Sequence, residues 1–432
     1  MSLFGSMYSA AAGLGAHADA MDVIGDNIAN VNTVGFKTGR GRFEDILGAT
    51  VANASLNGAA GQGSLLAGVD QLFTQGALLG TGNATDMALE GDGFFVVNGS
   101  FNGISGSMYT RTGQFRLDKN GALIDANGMH VQGYAADVNG TLGTALGDLS
   151  IPSTATVPPR ATSLADIIAN VDGSSAIPPA WDPTDPSGTS SYSTSMTVYD
   201  SLGASHNVDI YFRQASSGTW EWHAMVDGGE LAGGTAGVAT ECASGTLTFN
   251  TSGQLDTETT TASSFSFVGA AANQAIAFDF GDAITTDGGS GTSGVTAYAS
   301  PSTVTGLSQD GLASGSLAGI LVAEDGTVTG AFTNGERRTL GQVAVARFRD
   351  NDGLVRAGSG YYVATAAAGD PLVGAAGTGG RGSIASGSLE QSNVDLSHEF
   401  VNMIAIERGF QANSRTVHTA DEMLTELVNL KR

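Results

Sequence analysis

The chain has one cysteine, Cys242, in 432 residues, so no disulfide can form within it. It has no run of about 18 apolar residues, the length a helix needs to cross a bilayer, and membrane insertion by that route is excluded. Positive charge is scarce: 18 Lys and Arg stand against 42 Asp and Glu, a formal net charge of −24. A nucleic-acid binder needs clustered cations to displace counterions from phosphates, so that class is excluded too. Charge of either sign makes up 14% of the residues, against about 25% in an average soluble domain. The first 22 residues carry no basic segment, and glycine, serine and acids interrupt their apolar positions. No cleavable secretory signal is predicted, and a route out of the cell would leave the N-terminus intact.

Catalytic motifs are equally sparse. Gly-Lys never occurs, so a phosphate-binding loop of the Walker type is impossible. Two G-x-G-x-x-G matches, at Gly289 and Gly377, lie in Gly/Ser/Thr runs without a strand before and a helix after. The six histidines (17, 130, 206, 223, 398 and 418) show neither H-E-x-x-H nor any other zinc-ligand spacing, and C-x-x-C is absent. The Asp-rich turns 118–121 and 350–353 do not fit the calcium-loop pattern and read as hairpin turns. No nucleophile elbow occurs. The expectation is a protein that is not an enzyme and carries no metal or cofactor.

What the chain has in excess is glycine, 63 residues, roughly twice the usual share of about 7%, without the every-third spacing of collagen. With 41% hydrophobic residues it can bury a sizeable core. From about residue 76 the pattern is β: GDGFFVVNG (91–99) is a short buried strand, and Asn-Gly turns at 120–121 and 127–128 break the strands between 108 and 134. The stretch 151–309 opens on Pro158-Pro159 and Pro178-Pro179 and contains all three tryptophans. It carries 15 acidic residues against Arg160 and Arg213 alone, a net −13. It reads as an acidic β domain inserted into another, whose pattern resumes over 310–390.

The two ends are different. From Leu3 to Val31, Met7, Leu14, Met21 and Ile28 form one heptad row, and Leu3, Ala10, Ile24 and Val31 form the other, with His17 as a polar intruder. At the C-terminus Leu396, Met403, Phe410, Val417 and Leu424 form one row, joined by Ile406, Ala420 and Leu427, with Asn413 as the intruder. Each helix of about 30 residues would be roughly 45 Å long. Glycines 5, 13, 15 and 25 weaken the first helix by about 1 kcal/mol each relative to alanine, so it needs its seam packed to form. The fold class expected is mainly β with helical termini, nested as two β domains, one inside the other, plus a coiled-coil-like terminal helix pair. The boundaries expected are 1–32 with 391–432 for the helices, 33–75 for an extended linker, 76–150 with 310–390 for the inner β domain, and 151–309 for the insert.

The run Asn27-Ile28-Ala29-Asn30-Val31-Asn32-Thr33-Val34-Gly35-Phe36-Lys37 resembles the N-terminal signature of the bacterial flagellar rod and hook axial proteins. Asn27, Asn30, Thr33, Gly35, Phe36 and Lys37 are its marked positions. Gly387–Leu396, continuing through Glu399–Ile404, is similar to the matching end of that family, and Gly91–Phe95 and Tyr109–Phe115 are similar to its shared inner β domain. Thr197–Gly203, Val208–Phe212 and Asp325–Gly330 resemble the hook branch of the family, since rod proteins are shorter and lack such an insert.

The resemblance implies a structural subunit of the flagellar hook, a homo-oligomeric helical tube acting as a universal joint between motor rod and filament. It implies as partners the distal rod protein, the hook cap protein, the hook–filament junction protein and the flagellar type III export apparatus, with a location on the extracellular side of the cell envelope. The seam expected between copies is Met7, Leu14, Met21, Ile24 and Ile28 with Leu396, Met403, Ile406, Phe410, Val417, Leu424 and Leu427. The alternatives are a distal-rod or hook-associated axial protein and, in another class, a secreted acidic β-rich adhesin or calcium-binding module, for which heptads at both ends have no use.

Overall fold

A computed structural model of the chain describes residues 3–47, 61–151 and 156–429. A helix spans Leu3–Ala29 and another Leu396–Asn429, and nearly all ordered structure between them is strand. Two compact units share the chain. One comprises Met1–Ser153, Ala318–Ala331 and Arg337–Arg432; the other comprises Thr154–Leu317 and Phe332–Glu336.

In the first unit, strand Phe94–Phe101 pairs antiparallel with Ile104–Thr110 and with His130–Ala136. The hairpin turn is Asn102-Gly103, both at positive φ (50° and 80°), the two-residue geometry whose twist matches that of its strands. Phe94, Phe95, Val96 and Val97 are all at most 1% exposed, so this short apolar run is covered on both faces. Phe94, Tyr109, Phe348 and Tyr362 pack edge to face or tilted, with the Tyr109 and Phe348 centroids 4.7 Å apart. Two short pairings, Met87–Glu90 with Ser383–Ser386 and Leu78–Gly80 with Ser388–Glu390, bring the early and late parts of the chain together. The Asp-rich turns use their own carboxylates: Asp118 accepts from the Asn120 and Ala122 N–H groups, and Asp350 from that of Asp352. Only the first closes a hairpin; 350–353, expected as one, is a 3₁₀ turn between Arg337–Arg347 and Leu354–Gly358, which pair with other strands. Among the described residues no group of three His, Cys, Asp or Glu is placed to hold a metal ion.

The segment that reads as an extended linker contains an antiparallel hairpin, Gly39–Leu47 with Gly61–Gln71. It lies on the N-terminal helix. A Cβ at Gly63 would come within 2.8 Å of Ala12 Cβ, and the Phe43 ring sits 6.2 Å from that of His17. Alternation here is blurred because Phe43, Leu65 and Val69 remain exposed.

The second unit holds a five-stranded antiparallel meander, Tyr192–Tyr199, Ser205–Ser216, Thr219–Asp227, Ala239–Phe249 and Leu255–Ser263, in sequential order. A three-stranded sheet of Ala277–Asp279, Leu164–Asn170 and Thr303–Gln309 contributes to the same core. Val208, Ile210 and Phe212 alternate inward with polar residues outward, the period-2 pattern of a half-buried strand. Trp220, Trp222, Phe265 and Phe280 fill the centre and are at most 1% exposed. Cys242 is free and buried, and burial pushes its thiol pKa up to about 11.

Candidate functional site

The two terminal helices pack antiparallel, and the register is set by glycine. A Cβ at Gly13 would lie 2.6 Å from Asn413 Nδ2, and one at Gly409 would lie 2.8 Å from His17 Nε2. Each polar intruder of the two heptads therefore sits on a glycine of the opposite helix. Small residues complete the face: Ala10, Ala16, Ala20 and Ile24 on the first helix and Ala420 on the second are at most 6% exposed. Close approach of the backbones is the property that small residues provide. A Cβ at Gly15 or Gly25 would meet nothing within 4 Å among the described residues.

The expected seam residues are distributed differently. Ile24 is buried; Met7, Leu14, Met21 and Ile28 are half-buried. Met403, Ile406, Val417 and Leu424 are half-buried, while Leu396 and Phe410 are exposed. Leu427 lies in the helix, but its side chain is outside the described residues. Phe400, Val401 and Ile404 are half exposed or more, and Tyr8 of the first helix is exposed as well. A cavity of about 530 Å³ opens between the helices and the hairpin, lined by Ala20, Ile24, Phe43, Leu72 and Ile406 among others.

At the base of this pair the signature residues form a junction. Asn27, 1% exposed, both accepts from the Gly39 N–H and donates to the Gly39 carbonyl at 2.8 Å, so a helix side chain takes the place of a strand partner. Asn30 donates to the Asp26 carbonyl, and Thr33 donates to Asn30 Oδ1, closing the helix end. Gly35 adopts φ +69°, and a Cβ there would lie 2.8 Å from the Arg111 carbonyl carbon, so both conformation and space demand glycine. Phe36 is buried beneath the Arg356 guanidinium, 5.1 Å from the ring centroid. Asn393 accepts from Thr38 N and Oγ1 and donates to the Leu72 carbonyl, all at 2.8 Å, which fixes the start of the second helix against the exit of the first.

Lys37 is the centre. Its ammonium is 2.6 Å from Glu390 Oε1 and donates to the Thr74 carbonyl at 2.7 Å, with the side chains of Lys37 and Glu390 both 0% exposed. Arg111 approaches the other Glu390 oxygen at 3.4 Å and donates to the Gly91 carbonyl at 2.8 Å. Burial holds the pKa of Lys37 below its ordinary value, with Glu390 opposing that and Arg111 adding to it. Burial likewise lowers that of Arg111, again against the pull of Glu390. Two cations share one carboxylate, and each also donates to a backbone carbonyl, while Arg111 Nε is left without a partner; the arrangement is a structural clamp. Glu390, Asn393 and Arg111 all fall in the sequence runs that carry the family resemblance, but their pairing with Lys37 and Thr38 spans hundreds of residues and leaves no local trace.

Comparison with known proteins agrees along the whole chain. Residues 7–37 match the family described as flagella basal body rod protein, 88–173 the flagellar hook protein FlgE/F/G D1 domain, 170–312 the flagellar basal body protein FlaE D2 domain, and 385–430 the flagellar basal body rod FlgEFG protein C-terminal. The flagellar hook protein FlgE of Salmonella typhimurium is 34% identical over 434 residues, covering 99% of this chain and 100% of its own. That of Treponema pallidum is 33% identical over 473 residues, covering 99% of each. That of Brucella melitensis biotype 1 is 30% identical over 436 residues, covering 100% of each. With both helices, the junction and the inserted unit all within these matches, the chain belongs to the flagellar hook protein FlgE family, as a structural subunit of the bacterial flagellum.

Proposed function

We propose that this hook subunit polymerises through its terminal helices into a flexible helical tube that carries torque from the motor rod to the filament. The observation that supports this most is the apolar surface left open on the helix pair: Tyr8, Leu396, Phe400, Val401, Ile404 and Phe410 are all 39% exposed or more. Exposed apolar patches of this kind mark protein–protein contacts. Copies that meet through unlike patches, head to tail, generate open helical polymers where the rotation does not close. The half-buried rows Met7, Leu14, Met21, Ile28 and Met403, Val417, Leu424 would complete their burial against neighbouring copies. In this reading the subunit works by binding and not by catalysis. Its partners at the ends of the tube are the distal rod protein, the hook cap protein and the hook–filament junction protein. It reaches the extracellular side through the flagellar type III export apparatus. Low charge density suits a joint whose contacts shift as it bends, because few ion pairs have to break.

Met403→Asp and Phe410→Asp place a charge in the proposed contact. Electron microscopy of each purified variant should show no tubes, with the inserted unit melting as in the parent protein. Tubes of normal length from both variants would overturn the proposal.

A further inference from the structure

Residues 172–191 of the inserted unit run as a strap along its meander, with Trp181 on the face opposite Trp220 and Trp222. Ser175 Oγ donates to Gln214 Oε1 at 3.2 Å, Arg213 Nε donates to the Pro179 carbonyl at 2.7 Å, and Ser191 N donates to the Phe212 carbonyl at 2.8 Å. The centre of the strap is Trp181. Its indole stacks on the His223 ring with centroids 3.9 Å apart and planes 5° from parallel. Trp181 Nε1 donates to Glu241 Oε2 at 2.9 Å, and His223 Nδ1 is 3.2 Å from the same oxygen. One carboxylate oxygen thus ties the strap and the histidine to strand Ala239–Phe249.

The other nitrogen of that ring has no such arrangement. His223 Nε2 is buried and has no hydrogen-bond partner. The nearest carboxylate oxygen, Glu221 Oε2, is 4.0 Å away and already receives Arg213 Nη1 at 2.7 Å. The geometry fits a neutral imidazole with its proton on Nδ1. A second proton, on Nε2, would make a buried N–H donor with no acceptor, next to a guanidinium. The groups acting on the ring are Glu241 from one neighbouring strand, Arg213 and the phenol of Tyr211 from the other, and Glu221 on its own strand. Burial is the largest influence and holds the pKa of His223 below its ordinary 6.5, against Glu241 and Glu221 and together with Arg213. Burial raises that of Tyr211, which stays neutral throughout.

We propose that Trp181, His223 and Glu241 form a pH-sensitive latch, in which neutral His223 holds the strap on the sheet and proton uptake at Nε2 releases it. A bound proton costs the latched state an unsatisfied buried donor and costs the open state, where the ring meets water, nothing. The strap's own turns do not titrate in the same range. The Asp172 and Asp182 carboxylates, hydrogen-bonded to Ser174 and Thr184, are held below the usual carboxylate range.

Hydrogen exchange of the full chain at pH 7.5 and at a pH about two units lower, corrected for the intrinsic pH dependence of exchange, reads the latch directly. Peptides within 174–191 should lose protection about tenfold at the lower pH, the weight of one unsatisfied buried donor, while the meander strands keep theirs. His223→Gln should show the same strap protection at both pH values, and Trp181→Phe should show low protection at both. Equal protection at both pH values in the parent protein, the same loss in His223→Gln, or full protection in Trp181→Phe would each overturn the proposal.

Discussion

In the inserted unit Trp220, Trp222, Phe212, Phe265 and Phe280 are all at most 1% exposed, whereas in the terminal helices Phe400, Val401, Ile404 and Phe410 are 40% exposed or more. The buried face of the helix pair is made mostly of alanine and glycine instead, with Ile24 the one large apolar side chain buried there among the described residues. Burial of a large side chain stabilises by about 1.5–3 kcal/mol, so the insert holds its stability within one chain and the helix pair does not. The contrast teaches where the subunit is finished by itself and where it needs other copies. All three tryptophans lie in the insert, so tryptophan fluorescence reads that unit alone, and far-UV circular dichroism reads the helices.

The largest expected effect separates the units cleanly. Glu390→Ala leaves Lys37 and Arg111 as buried, uncompensated charges and should destabilise the first unit by about 3–5 kcal/mol, with no change in the fluorescence-detected urea midpoint. An equal shift of that midpoint would show that the two units do not unfold independently. Phe212→Ala should cost the insert about 3–5 kcal/mol, whereas Phe400→Ala should change monomer stability by no more than about 0.5 kcal/mol. A large loss in the Phe400→Ala monomer would mean that its face is already covered.

The helical glycines give a finer division. Gly15→Ala and Gly25→Ala, in open space, should each raise helix stability by up to about 1 kcal/mol in thermal melts followed by circular dichroism. Gly13→Ala should lose most or all of that gain, because its Cβ displaces Asn413. Equal gains at all three positions would refute the proposed register of the helix pair.

A pH slope distinguishes the insert further. Burial is the main influence pushing the pKa of Glu258 up to about 7 from 4.5, aided by Asp279 and Asp287 and opposed by a hydrogen bond from Phe280 N. An acid whose pKa is raised on folding binds more protons folded than unfolded between those values. Its contribution is therefore fully present below about pH 4.5 and is lost as the pH rises through 7. Glu258→Gln should flatten the decline in the insert's stability over that window, measured by urea midpoints; an unchanged slope would assign the decline to other groups.

Much of the fold was legible. The heptads locate helices at Leu3–Ala29 and Leu396–Asn429, because a 3,4 spacing has no other regular use. Asn120-Gly121 and Asn127-Gly128 announce their hairpins through backbone chemistry that is local by nature, with Gly121 and Gly128 at φ 84° and 82°. The facing of the helices was not legible. Both rows of the first heptad are apolar, and the chain packs the side carrying Ala10, Gly13, Ala20 and Ile24, leaving the row with Met7, Leu14 and Met21 half-open. Glycine reads from sequence only as a loss of helicity, whereas at 13 and 409 it is a socket whose occupant lies hundreds of residues away. The Lys37–Glu390 pair is hidden for the same reason, since charge complementarity across 353 positions has no periodicity to reveal it.

Hydrogen exchange on the full chain, compared between monomer and polymer, tests most directly the claim that the terminal helices are completed by other copies. The account predicts a large gain in protection over 5–28 and 396–424 on polymerisation, with little change in the strands of 205–249. Gains confined to 205–249, with the helices exchanging alike in both states, would contradict it.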